Sequence, residues 1–143
     1  MNRKKAAVLL LTLLMVLSLV LSACGGGGKK DGRYEYKGDL DEHGWAVQAW
    51  IDVKDGKIVD GFFDYVNDEG KRKSEDQDYI DSMLEYSETG TDISEVISYL
   101  DTYLKNNTNL DKVSPDAVSG ATSTYENFVA AAKDLYKKAG LSD

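Results

Sequence analysis

Residues 45–53 alternate between apolar and polar positions. Trp45, Val47, Ala49, Ile51 and Val53 fall on one side, Gln48 and Asp52 on the other. A period of two sustained over this length predicts a half-buried strand. Asp55-Gly56, flanked by Lys54 and Lys57, predicts a two-residue type I′ turn, because both residue types tolerate positive φ. The returning arm runs from Lys57 to Val66 and carries Ile58, Val59, Phe62, Phe63, Tyr65 and Val66. Asn67-Asp68-Glu69-Gly70 closes it as a turn. A shorter alternation around Tyr34 and Tyr36 predicts a first strand over Arg33–Lys37.

The period then changes. Ser74-x-x-Gln77 has the capping-box pattern and predicts a helix to about Tyr86, with Ile80, Met83 and Leu84 inward. Asp92-x-x-Glu95 is a variant of the same box. Behind it Ile93, Val96, Ile97, Leu100 and Leu104 recur at helical spacing. Ser123-x-x-Glu126 predicts the start of a last helix whose apolar stripe is Phe128, Val129, Ala132, Leu135 and Tyr136. Lys137 and Lys138 suit its negative end, and Gly140 terminates it. Strands first and helices after predict an α+β fold, a small antiparallel sheet packed with helices.

The N-terminus follows a different rule. Arg3, Lys4 and Lys5 precede an uncharged, Leu- and Val-rich run from Ala6 to Ala23. This is the secretory pattern of a basic start and an apolar stretch. The run is also long enough to approach a bilayer span. Its end decides between the two: Leu21-Ser22-Ala23-Cys24 has the form of a lipobox, with Cys24 as the lipid-attachment residue. The expected organisation is a lipoprotein signal peptide over 1–23, a Gly-rich tether over 24–32 and one domain over 33–143. The tether reaches about 15 Å on flexible-chain scaling. An acyl chain on Cys24 would hold the domain at the outer face of the cell membrane.

Composition narrows the chemistry. The net charge of the 143-residue chain is −8, and the expected cleavage removes only positive charges. Such an acidic domain is unsuited to neutralising nucleic-acid phosphates and is repelled by anionic lipid. One Cys and one His exclude a disulfide within the chain, a four-cysteine zinc site and HExxH. Asp39-x-Asp41-x-His43-Gly44 begins like a calcium loop, but Trp50 stands where a bidentate Glu is required. Glu75, Asp76, Asp78 and Asp81 read as the solvated first turn of a helix. Trp45 and Trp50 lie on opposite faces of one strand and do not share a pocket. No metal site is expected.

One segment carries chemistry. Ser114 to Thr124 reads SPDAVSGATST and lies just before the last helix. Gly120 permits a turn other residues resist, and small Ala121 admits a bulky neighbour. Ser119, Thr122, Ser123 and Thr124 cluster their hydroxyls beside the positive end of the helix. This suits a phosphate or carboxylate, worth about 0.3–2 kcal/mol. It equally suits a Ser/Thr-rich capping loop that holds nothing.

Asp116-x-x-Ser119-Gly120-Ala121-Thr122 resembles the acceptor motif of FMN-binding domain proteins. In that family a flavin transferase joins FMN through its phosphate to the hydroxyl of the motif Thr. The resemblance implies a covalent FMN on Thr122, with Asp116, Ser119, Gly120 and Ala121 completing the motif and Ser123 beginning the helix behind it. Which aromatic covers the flavin ring stays open, with Tyr125, beside the motif, as one candidate. Together with the lipobox, the chain is similar to surface flavolipoproteins of Gram-positive bacteria. These imply an electron carrier rather than a turnover enzyme, a membrane quinone-linked donor and an extracellular acceptor. Two alternatives stand beside it: a surface lipoprotein with a binding or immunogenic role and no flavin, and non-covalent FMN binding by the same loop.

Overall fold

The computed structural model describes residues 30–141. The expected signal peptide, Cys24 and most of the tether lie outside the described residues. Three strands, β1 (Gly32–Lys37), β2 (Trp45–Lys54) and β3 (Lys57–Asn67), form an antiparallel sheet in the order β1-β2-β3. Three helices follow: α1 (Gln77–Tyr86), α2 (Ile93–Asn106) and α3 (Thr122–Ala139). The fold is α+β, as the change of period predicts.

The β2–β3 turn is of type I′: φ is 51° at Asp55 and 71° at Gly56. A register shift at Asp52/Val53 follows the tight turn, and Ala49 then pairs with Phe63 and Trp50 with Phe62. The odd positions of β2 face the core, where Val47, Ala49, Ile51 and Val53 are buried with Phe63 and Tyr65. The other face carries Trp50 stacked on Phe62 at 6.2 Å. The Arg33 guanidinium lies 3.8 Å over Trp50 and holds Asp52 through two bonds of 2.7 and 2.8 Å. The two tryptophans therefore do separate, Trp45 into the core and Trp50 onto the open face.

Helices α2 and α3 cover the core face. Phe128 of α3 is fully buried and meets Phe63 edge-on at 5.1 Å and Tyr103 of α2 at 6.3 Å. One aromatic thus joins both helices to the sheet. Position 61 is tight for anything larger than glycine, because a Cβ there would sit 3.2 Å from the Trp50 carbonyl oxygen and 3.4 Å from Lys105 Cγ. Beside it, Asp101 Oδ1 of α2 accepts the Phe63 N–H at 2.9 Å, so the helix satisfies a group on the sheet edge. The stripe of α3 is buried at Phe128, Ala132, Leu135 and Tyr136, with Val129 half-buried. The helix stops at Gly140 (φ 66°), where the Leu141 N–H reaches the Tyr136 carbonyl at 2.8 Å.

Helix α1 departs from the expectation. Ser74 does not cap it. The segment Lys73–Glu75 is a separate 3₁₀ turn, and Ser74 Oγ donates to Asp64 Oδ2 at 2.5 Å. The cap is Asp76, whose carboxylate accepts the Tyr79 N–H at 3.0 Å. The buried Asp64 drew Ser74 away, since its carboxylate also needs donors and takes the Tyr65 N–H at 2.7 Å. Nor is the predicted apolar face inward: α1 has no buried residue, Leu84 is exposed, and Ile80 and Met83 are only half-buried.

Candidate functional site

The SGAT segment is built as a sequence of tight turns. Pro115 leads into a 3₁₀ turn over Asp116–Val118. The Ser119 N–H then reaches the Asp116 carbonyl at 3.3 Å, and the Ala121 N–H reaches the Val118 carbonyl at 3.0 Å. Between them Gly120 adopts φ 78°, the left-handed region that favours glycine. The Ser114 N–H bonds the Tyr99 hydroxyl at 2.8 Å and ties the segment to α2. Ala121 is buried and anchors the turn, which leaves Thr122 and Ser123 exposed.

The helix start differs from the expected capping box. Helix α3 begins at Thr122, and its N-cap position is Ala121, which has no side-chain acceptor. Ser123 lies inside the first turn and caps nothing. Among the described residues the N–H groups of Thr122, Ser123 and Thr124 have no protein acceptor, and the ladder begins at Tyr125 N–H to Ala121 O, 3.0 Å. By contrast, α2 is fully capped: Asp92 Oδ1 accepts the N–H groups of Ser94 at 2.6 Å and Glu95 at 3.1 Å. The predicted Asp92 cap is present; the predicted Ser123 cap is not.

A cleft of about 610 Å³ lies against this uncapped start. Ser119, Gly120, Ala121, Ser123 and Thr124 form one wall. Tyr79, Met83 and Tyr86 of α1 form the other, with Thr89 and Ile93. Thr122 is flanked on both sides by wall residues but is not itself among them. These α1 residues, at i, i+4 and i+7, fall on one helix face. Sequence reasoning missed this wall, having taken α1 as a core helix. Tyr125, one candidate for covering the ring, does not line the cleft and packs half-buried against the core. Asp116 is exposed, and its contribution to the loop is the backbone carbonyl that receives Ser119.

Behind the cleft the chemistry is unusual. Thr124 is buried, and nearby the Tyr65 hydroxyl accepts Asn127 Nδ2 at 2.8 Å. Burial pushes the Tyr65 phenol above its ordinary range. Burial likewise raises the Asp64 carboxyl, against the hydrogen bonds from Ser74 and Tyr65 that favour its charged form.

The remaining candidates have structural roles. Asp41 Oδ1 accepts the N–H groups of His43 and Trp45, both at 2.9 Å, and His43 is exposed beside Glu42. Asp76 pairs with Lys71 at 2.8 Å, which with the Tyr79 N–H holds its carboxyl below the usual range. Among the described residues no group of three or more His, Cys, Asp or Glu is placed to hold a metal ion. Nor is any described helix long and apolar enough to cross a membrane.

Fold and cleft together define a small α+β domain with one helix start left open to a groove. Comparison gives the relationship: over 101 residues the chain is 32% identical to the 15 kDa lipoprotein of Treponema pallidum (strain Nichols), covering 71% of this chain and 69% of that protein. The chain belongs to the family of that lipoprotein. The relative's name agrees with the lipoprotein expectation drawn from Cys24. The crystal structure of the CPE2226 protein from Clostridium perfringens superposes with a TM-score of 0.65 at 29% identity, covering 78% of this chain and 88% of that one. A solution structure from Clostridium thermocellum gives 0.48 at 28% identity, covering 77% and 92%. No family model matches the chain, so the resemblance at residues 116–122 rests on those residues themselves.

Proposed function

We propose that this lipoprotein is a membrane-anchored, extracytoplasmic electron carrier with FMN joined through its phosphate to Thr122. The observation that carries the reading is the uncapped start of α3. A helix of this length that leaves its first amides without a side-chain acceptor has a place for an anion. Thr122 presents an exposed hydroxyl at that place. A phosphoester there would receive the free N–H groups of the first turn. Gly120 and Ala121 set the turn that holds the hydroxyl outward, and Ser119 and Ser123 stand beside it on the cleft wall. Tyr79, Met83 and Tyr86 offer a planar group a partly exposed face on the cleft. A flavin supplies one- and two-electron redox chemistry when bound. The protein's own part is to retain it outside the cell, orient it and set its electrostatics.

In this reading the protein is a substrate of a flavin transferase, fed by a membrane quinone-linked donor and drained by an extracellular acceptor. The lipid on Cys24 keeps it at the membrane. A second reading is favoured by the relative's name: a surface lipoprotein with a binding or immunogenic role whose SGAT loop carries no flavin. Non-covalent FMN binding by the loop lies between the two. One experiment separates all three. The chain is co-expressed with an exported flavin transferase and run on a denaturing gel. Flavin fluorescence that stays with the band and vanishes in Thr122→Ala supports covalent attachment. Flavin that is bound natively but released by denaturation supports the intermediate reading. A colourless protein, with the transferase active on a control acceptor, supports the lipoprotein without flavin.

A further inference from the structure

Helix α1 has ten residues, and none of them is buried. A helix this short is marginal in water without packing on its apolar side. Yet its apolar side chains stay open: Tyr86 is 79% exposed and Leu84 41%. Successive residues turn by about 100°, so Glu85 lies between the two on the exposed face. The charges of α1 also oppose its own dipole. Lys105 stands in the last turn of α2, and Lys137 and Lys138 in that of α3, where the carbonyl end favours cations. The last turn of α1 has no basic residue. Glu85 stands there instead, and Glu88 follows two residues past the end. Both are exposed, and among the described residues neither has a Lys, Arg or His within 4 Å.

The neighbouring chain supplies no cation. Residues 74–104 hold nine acids and no Lys, Arg or His, and residues 113–132, which build the facing wall of the cleft, hold two acids and no base. A second copy of the chain would bring the same acids to the same face and be repelled. The membrane lies at the other end of the domain. The chain toward Cys24 leaves at Gly32, which pairs with Val53 beside the β2–β3 turn. Near the start of α3, Asn127 bonds the Tyr65 hydroxyl, whereas Leu141, past its end, shares a hollow with Gly56 and Ile58 of that turn. The 18 residues of α3 span about 27 Å between these ends. The cleft and the end of α1 are therefore held away from the anchor, and what covers them comes from outside the molecule.

We propose that the C-terminal end of α1 is a docking surface for a basic protein, one that presents Lys or Arg side chains around an apolar contact. The cations meet Glu85, Glu88 and the carbonyl end of the helix together, and the apolar contact covers Tyr86. Tyr86 also lines the cleft, so a partner seated here stands at the mouth of the site proposed for FMN. The docking goes beyond the flavin reading and does not depend on it.

The test uses the full chain without flavin, captured through its N-terminus on an uncharged surface, with a basic cytochrome c as the probe. The lysines of this probe ring an apolar haem edge. Affinity is read by surface plasmon resonance at low salt. Wild type is compared with Glu85→Gln/Glu88→Gln, with Tyr86→Ser, and with Asp55→Asn/Asp111→Asn, which removes the same charge from exposed positions that do not line the cleft. The expected loss is about fivefold for the glutamate pair and about tenfold for Tyr86→Ser. The distant aspartate pair should lose less than about twofold, because its charges are screened. Thermal melts should show Glu85→Gln/Glu88→Gln no less stable than wild type, since both acids oppose the dipole. No binding by wild type overturns the proposal, as do equal losses in the two charge pairs, an unchanged affinity in Tyr86→Ser, or a lower melting temperature in the glutamate pair. A concentration-dependent dimer that Tyr86→Ser abolishes also overturns it and gives the face to a second copy. With no flavin present, none of these outcomes bears on FMN at Thr122, so the two readings fail separately.

Discussion

Asp92→Ala should show what a helix cap contributes in this fold, and so what α3 does without. Asp92 Oδ1 accepts the N–H groups of Ser94 and Glu95 and the Ser94 hydroxyl, at 2.6, 3.1 and 2.5 Å. Alanine removes all three, leaving two amides of the first turn to partial solvent. Loss of a cap of this kind costs about 1–2 kcal/mol. At roughly 4 °C per kcal/mol for a domain of this size, the melting temperature should fall by about 4–8 °C at neutral pH. Asn, which keeps one acceptor oxygen, should recover most of it. The effect should also depend on pH. Burial acts to raise the Asp92 carboxyl, but the hydrogen bonds from Ser94 and Glu95 outweigh it, and the folded pKa lies below the ordinary 3.8. A depressed folded pKa contributes stability above the unfolded value and loses it as pH falls through the folded one. The gap between wild type and Asp92→Ala should therefore be full at neutral pH and narrow in strong acid. Circular-dichroism melts across that range test it. A neutral-pH cost below about 0.3 kcal/mol, far under the usual cap value, would refute the reasoning. So would a cost that is unchanged in strong acid.

Further outcomes follow from the same geometry. Flavin-free Thr122→Ala should match flavin-free wild type within about 0.5 kcal/mol, because Thr122 is exposed and its helix has no side-chain cap to lose; a larger loss in urea titration contradicts the uncapped start. Phe128→Ala should cost about 3–5 kcal/mol in urea unfolding, since it empties the junction of Phe63, Tyr103 and the helix. Gly61→Ala should cost about 1–3 kcal/mol by pressing a methyl on the Trp50 carbonyl. For Asp64, whose folded pKa is raised above 3.8, the sign is opposite to Asp92. Its contribution is present below the unfolded pKa and is lost as pH rises through the folded one. Wild type should lose stability relative to Asp64→Asn over that window, and a gain on the same scale contradicts its buried, desolvated placement.

The strands and turns were legible because each signal was local. The alternation of 45–53, the Asp55-Gly56 turn and the Gly140 stop all depend on neighbours in sequence. Helix α2 was legible for the same reason, its cap and stripe agreeing. Capping at Ser74 and Ser123 was not, because a capping-box pattern offers a hydroxyl without saying what else competes for it. Asp64, ten residues earlier, takes Ser74; the Gly120 turn starts α3 one residue ahead of Ser123. The SGAT loop stood out in sequence, but its opposite wall did not. The sequence puts Ile80, Met83 and Leu84 of α1 inward, and only the packing turns Tyr79, Met83 and Tyr86 toward a cleft.

The central claim is a flavin on one hydroxyl, and peptide mapping tests it most directly. Trypsin should release Val113–Lys133, which holds Ser114, Ser119, Thr122, Ser123 and Thr124 together. Tandem mass spectrometry of the chain exposed to an active transferase should find this peptide carrying one FMN, with fragment ions placing it on Thr122. The unmodified peptide alone, or FMN placed on a neighbouring hydroxyl, would contradict the account.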